Sequence, residues 1–300
     1  MKRTGAEALK GAALMVAAGV AFVVVNVMTQ LATLPIDWGG MGFRSTSDSF
    51  WQYAIAGLLT LPFLLKGGPG SLRTRHPLAH GLRVLLSALG VQAFVLALSK
   101  QVPLWQVIAL VAASPFFILL GAKLFLGERV TADRWLAAGV GFGGVMLILQ
   151  PWSAAFTPWA LLPILAAAFW AGASLMTKRL TDDESAIAIT AWLLILMTPI
   201  NLAISLGAGF EVPTGRLLLI VLAGGVAQFL AQYCLTRAYA SADASFLQPF
   251  DDLKQPLNIA VGFWLWGYGP EGANWLGIPL IIGASAYLLW KETRQRSTPA

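Results

Sequence analysis

The chain has 300 residues, of which 57% are apolar and only 11% charged, with a mean hydropathy of +0.71. A soluble core of ordinary proportions is excluded, because about 25% of a typical soluble chain is charged. The net charge of +6 is expected to report how basic residues divide between loops, so a nucleic-acid partner is unnecessary.

A hydrocarbon layer about 30 Å thick needs about 20 mostly apolar residues per helix. Apolar runs broken by charge, Gly or Pro predict ten such segments: 12–34, 50–65, 82–98, 104–126, 135–149, 159–176, 186–206, 217–239, 244–266 and 275–290. Turn chemistry separates them at Lys66 to Gly70, Thr157-Pro158, Gly207 to Gly209 and Gly269-Pro270. The first run follows Lys2, Arg3 and Lys10 as a secretory signal would. It lacks a small-x-small cleavage site and carries Asn26, Thr29 and Gln30, so it is expected to remain as a helix. The single cysteine, Cys234, allows no intramolecular disulfide.

Ten spans with a cytoplasmic N-terminus place fifteen of the twenty basic residues inside, among them Lys66, Arg73, Arg83, Arg134, Lys178 and Arg294. Only Arg44, Lys100 and Arg216 fall outside, while Lys123 and Lys254 lie within segments. Cytoplasmic loops are enriched in Lys and Arg, so both termini are expected in the cytoplasm of a prokaryotic cell, with the chain in its inner membrane.

The chain also matches itself at a nearly constant spacing. Pro115 pairs with Pro256 at an offset of 141, and Gly127, Trp135-Leu136 and Gly143 pair with Gly267, Trp275-Leu276 and Gly283 at 140. Met28-Thr29 pairs with Met176-Thr177 at 148, and Leu61-Pro62 is similar to Thr198-Pro199 at 137. The expectation is an all-α integral membrane protein of two five-helix units, 1–152 and 153–300. Five is odd, so the second unit is inverted, an arrangement that places substrate near the bilayer midplane at the repeat interface.

Two motifs carry a resemblance. Leu126-Gly127-Glu128-Arg129-Val130-Thr131, followed by Leu136 and Gly139, resembles the turn after the fourth helix in the EamA branch of the drug/metabolite transporter superfamily. Gln248 to Pro256 is similar to the ninth helix of amino-acid exporters of the YddG kind. The chain departs from the pattern at Tyr268, the repeat mate of Glu128, where an acidic residue is usual. The resemblance implies a ten-helix secondary transporter that exports amino acids, aromatic ones included, or related amphipathic metabolites.

Asp251, Asp252 and Lys254 sit seven to ten residues into an apolar segment, where a charge costs at least about 2.5–3.5 kcal/mol. Asp251 and Lys254 are spaced i, i+3 and share a helical face, so they form either a packing ion pair or part of the translocation path, with Gln255 beside them. A zwitterion would suit such a pair. Pro249 and Pro256 flank the charges, and Pro115 is the counterpart in the first half, so both helices are expected to bend.

Trp170 lies eleven residues past Trp159, about 16 Å along a helix, near mid-bilayer, where it either stacks on substrate or packs. Trp38, Trp105, Trp135, Trp152, Trp159, Trp266, Trp275 and Trp290 fall at segment ends as interfacial belts. Asn26, Gln92, Ser174 and Gln228 are polar side chains at membrane depth, available to neighbouring helices or to a cavity. Gly139-x-x-x-Gly143 is expected to permit close helix packing, and Lys123 to reach the cytoplasmic edge near Glu128 and Arg129.

His76 and His80 are spaced i, i+4 with no accompanying carboxylate or Cys, so no metal is expected there, and no cofactor elsewhere. No P-loop, HExxH or G-x-S-x-G motif occurs. The expected partners are a small-molecule substrate and the bilayer, with the chain acting as a monomer. A multidrug or other metabolite carrier is the alternative on the same scaffold. An intramembrane lipid enzyme would need a nucleophile, base or metal cluster, and a channel a repeated filter; neither stands out.

Overall fold

The structure is a computed structural model that describes residues 5–68, 70, 72–100, 102, 104–128, 130–149, 156–267, 276–280, 282–284, 286–287 and 290. In chain order its helices are α1 (Gly5–Thr33), α2 (Ser45–Gly67), α3 (Pro77–Ser99), α4 (Leu104–Val111), α5 (Ser114–Phe125) and α6 (Ala132–Leu149). They continue with α7 (Leu162–Leu180), α8 (Ala186–Ala208), α9 (Gly215–Ser241), α10 (Ala244–Asp251) and α11 (Lys254–Trp266). Short 3-10 turns precede α2 and α7, and the described part of the tenth predicted segment is helical. The expected boundary near residue 152 lies outside the described residues, as do Arg129, Trp152, Tyr268 and Trp275 and both ends of the chain.

Five helices among the described residues are long and apolar enough to cross a membrane: Ala6–Thr33, Pro77–Ala97, Pro158–Leu180, Ala186–Ala208 and Gly215–Ser241. Their packing is pairwise. The first helix lies along α9 and α7 along α3, while α2 packs on α8 and α9, α5 on α7, and α10 and α11 on α1. Lipid tails offer no hydrophobic drive for association, so small residues that let backbones approach dominate the seams. Ala8, Ala12, Ala238, Ala242 and Ala244 surround Met15 and Tyr239 in the largest buried cluster.

The two bends expected at proline are outright interruptions. Pro115 has no N–H for the Val111 carbonyl, and Pro256 none for that of Asp252, so each helix stops near the residue four positions earlier. In the first, Ala112 and Ala113 donate to the carbonyls of Ala109 and Leu110, tightening the end of α4 into a 3-10 turn. In the second, Asp252 and Leu253 form the joint between α10 and α11.

Two expectations need correction. The second span begins at Ser45, five residues before the apolar run, and carries Asp48 into its buried face, where Gln52 Nε2 one turn on donates to Oδ2 at 2.8 Å. Gly139 and Gly143 face open space among the described residues, so the small-residue stripe makes no close seam with any of them.

Candidate functional site

The joint after α10 brings the charged residues of the ninth segment against α1. Lys254 Nζ donates to both oxygens of Asp251, at 2.6 and 2.7 Å. The same ammonium lies 5.5 Å from the centroid of the Phe22 ring, over a π face that attracts cations. Gly19 makes room for this approach: a Cβ there would sit 3.3 Å from the Lys254 Cβ. One turn further along both helices, Asn26 Nδ2 donates to Asn258 Oδ1 at 3.0 Å. Phe22 with Asn26 and Lys254 with Asn258 are each i, i+4 pairs, so they form one polar and aromatic seam between α1 and α11.

Asp252 turns elsewhere. Successive helical residues differ by about 100° in direction, and Asp252 lines a cleft bordered by Ala113, Phe116, Gly141, Phe142, Ser245 and Gln248. Its Oδ1 accepts from Gln248 Nε2 at 3.2 Å. Pro115 borders the same cleft. The side chains of Pro249, Gln255 and Pro256 lie outside the described residues.

Trp170 lies across α3. A Cβ at Gly90 would come within 2.4 Å of the indole nitrogen, so the absent side chain is what admits the ring. Phe94, one turn on, holds its ring 5.8 Å from Trp170. Ser174, one turn further along α7, lies near the buried Tyr239 of α9, which is also within electrostatic reach of Asp251 and Asp252. Gln228 is buried and lies near Tyr53 of α2. Gln92 is exposed. The candidates thus fall into four places: the α1–α11 seam, the cleft of Asp252, the Trp170–Ser174 side of α7, and the α2–α9 contact holding Gln228, with Gln92 exposed apart from them.

Several polar residues that hold the ends of helices are not among the candidate site residues read from the sequence. Glu128 accepts from the Ala244 and Ser245 N–H groups at 2.9 and 3.0 Å and from the Ser245 hydroxyl at 2.6 Å, while Arg134 donates to that hydroxyl at 2.8 Å. Lys178, only 6% exposed, donates to the Tyr239 and Ala242 carbonyls at 2.8 and 2.7 Å, where α9 ends. Opposite charges thus meet the helix termini that favour them. The α5–α6 turn motif was the only sequence signal for Glu128, and nothing local points to Ser245.

The loop between α2 and α3, together with the first turn of α3, docks on the loop between α7 and α8. His80 Nε2 lies 2.8 Å from Glu184, His76 Nε2 lies 3.0 Å from Asp183, and Thr74 donates to Glu184. No metal-holding group of three or more such residues exists among the described residues. At the loop between α8 and α9, Glu211 accepts from the Arg44 N–H at 3.1 Å and from its Nε at 2.8 Å. The backbone N–H and then the guanidinium of Arg44 hold the Glu211 carboxyl below its usual range. Lys123 places its ammonium 5.9 Å from the Trp135 ring, and Trp38, Trp159 and Trp290 are exposed as belt residues are.

The comparisons with known proteins agree with this architecture. The model of the EamA-like transporter family matches residues 9–150 and again 157–290. A riboflavin transporter of Rhizobium johnstonii is 51% identical over 98% of this chain and 95% of that protein. A riboflavin transporter of Brucella anthropi is 46% identical over 93% of this chain and 98% of its own length. A solved crystal structure with 19% identity superposes with a TM-score of 0.68 over 93% of this chain and 98% of that one, and shares its fold.

Proposed function

The chain belongs to the EamA-like transporter family, and from that premise we propose that it carries riboflavin across the plasma membrane by alternating access. It is a multi-pass membrane transporter and not an enzyme. The observation that carries the substrate is 51% identity to a riboflavin transporter along nearly the whole chain. Riboflavin is a flat three-ring heteroaromatic with an imide edge, a hydroxyl-rich tail and no fixed charge.

The geometry supports a substrate of that kind. Trp170 and Phe94 offer ring faces, and stacking a base-like ring on an aromatic side chain contributes about 1–3 kcal/mol. Asn26 and Asn258 offer amide donors and acceptors on the α1–α11 seam. The amino-acid export implied by the ninth-helix resemblance gains less support. Asp251 and Lys254 close on one another through two short bonds, which a zwitterion would have to displace.

In this reading the ten segments form two inverted halves with cytoplasmic termini. Packing supports it, because α1 meets α9 as α7 meets α3, and α2 meets α9 as α8 meets α3. The proline interruptions likewise fall in the fourth and ninth segments. The test is counterflow of radiolabelled riboflavin in liposomes containing the purified full chain. Unlabelled riboflavin should compete, while aromatic amino acids and lipophilic cations should not. Amino-acid counterflow without riboflavin flux would overturn the assignment, and oriented vesicles would read its direction.

A further inference from the structure

Asp251 and Asp252 are neighbours in sequence with different surroundings. Asp251 faces Lys254, whereas Asp252 lines the cleft between α10, α5 and α6. Gln248, one turn before Asp252 and 3% exposed, borders the same cleft and donates Nε2 to Asp252 Oδ1. Its Oε1 is buried and accepts no hydrogen bond from any described residue. Buried side-chain acceptors are seldom left in that state.

The hydrogen-bond inventory says what is missing. An ionised carboxylate only accepts, so it satisfies the amide N–H and offers nothing to the amide oxygen. A protonated carboxyl adds one O–H donor. Against a primary amide it makes two bonds at once, O–H to the amide carbonyl and N–H to the acid carbonyl, after the amide turns about its last torsion, which is broad and soft.

We propose that Asp252 and Gln248 form a proton site that couples this transporter to a pH gradient, separate from the Asp251–Lys254 pair. Binding forms one O–H bond on Asp252 as hydronium gives up a proton and leaves as water. Release on the other side of the membrane reverses it. A metal cation fits the place less well, because hard cations gather six or more oxygens. The cleft is lined mainly by carbon from residues such as Ala113, Phe116 and Phe142, and the Ser245 hydroxyl is already engaged by Glu128 and Arg134.

Among the described residues, titratable and charged groups approach Asp252 from four directions. Asp251 is on the same helix and Lys254 lies across the joint. Glu128 from the α5–α6 turn and Arg134 from α6 meet Ser245, the first α10 residue of the cleft. Tyr239 comes from α9, whose end is held by Lys178 of α7. The nearby α5 residues bordering the cleft, Phe116 and Leu119, are apolar, as is Phe22 of α1 beside Lys254.

The coupling role rests on the transport reading, while proton binding at Asp252 is testable without it. Infrared difference spectra of the purified full chain across a pH titration should show a carboxylic C=O band that is lost in Asp252→Asn. Gln248→Leu, which removes the amide partner, should shift that band. A wild-type protein without the band, a band that survives in Asp252→Asn, or one unmoved by Gln248→Leu overturns the site; the last holds even where Asp252→Asn does not fold.

In liposomes, an imposed pH gradient should change riboflavin flux by about tenfold in the wild type, a typical coupling ratio, and the ratio should fall to one in Asp252→Asn. Flux that follows a sodium gradient instead overturns the proposal. Riboflavin flux indifferent to pH refutes coupling and leaves the substrate standing. The band without any riboflavin flux supports the proton site and refutes the substrate.

Discussion

Glu128 accepts both the hydroxyl and the N–H of Ser245, at 2.6 and 3.0 Å, although 117 positions separate them in the chain. With the Ala244 N–H on its other oxygen, it serves as the cap of α10, whose own preceding residue Asp243 makes no side-chain cap bond. The acidic residue of the α5–α6 turn motif thus has a physical task, which is to seat a carboxylate on the positive end of a helix distant in the chain.

Losing that cap should be visible as stability. Glu128→Ala is expected to remove about 1–2 kcal/mol, the upper range for an N-cap, and to lower the melting temperature of the purified protein. Glu128→Gln, with one acceptor oxygen and no charge, should fall between. An unchanged melting temperature in Glu128→Ala would deny the capping role.

Trp170 and Gly90 should behave as a unit. Gly90→Ala would place a methyl 2.4 Å from the indole nitrogen, so the ring must leave the shelf. Both Gly90→Ala and Trp170→Ala are expected to reduce riboflavin counterflow by about tenfold at matched protein content, the loss of one stacking contact. Gly90→Ala combined with Trp170→Phe, a smaller ring, should recover part of it. Unaltered flux in Trp170→Ala would assign the indole to packing alone.

Removing one charge from the Asp251–Lys254 pair leaves the other unpaired and largely desolvated, so Asp251→Asn or Lys254→Met should each destabilise the protein by about 3–5 kcal/mol. Exchanging the charges, Asp251→Lys with Lys254→Asp, preserves neutralisation. For a substrate without fixed charges, the exchanged protein should fold and still move riboflavin. A folded exchange variant that no longer transports would place the pair in contact with substrate.

Glu211 makes the contact at the α8–α9 loop sensitive to pH. Its folded pKa is depressed by Arg44, so the stabilisation is present above the ordinary Glu value of about 4.3 and is lost as pH falls through the lower folded value. Melting temperature should therefore decline over that acidic window, and less so in Glu211→Gln. Both side chains are partly exposed, so added salt should shrink the difference between the two proteins.

Much of the helical layout is legible in the sequence because lipid demands long apolar runs and proline marks their interruptions. The i, i+3 spacing of Asp251 and Lys254 likewise announces their contact. What the sequence conceals is pairing at a distance. Arg83 and Lys178 count as basic residues of cytoplasmic loops in a topology reading, yet both are buried and donate to carbonyls of other helices, Arg83 to that of Ile189 at 2.9 Å. His80 and Glu184 are 104 positions apart, and neither carries a local pattern that names its partner. Asp252 looks equivalent to Asp251 until the helix direction assigns them to different faces.

The turn between α9 and α10 is gripped from both sides, by Lys178 on the last carbonyls of α9 and by Glu128 on the first amides of α10. With that end fixed and the other ending at residues 252 and 253, α10 is a post and the joint its hinge pin. Turning α11 about that joint would carry Lys254 and Asn258 along α1 and leave Asp251 behind. The bond from Lys254 to Asp251 spans the joint and is its clasp, so α11 cannot turn far until that clasp is undone.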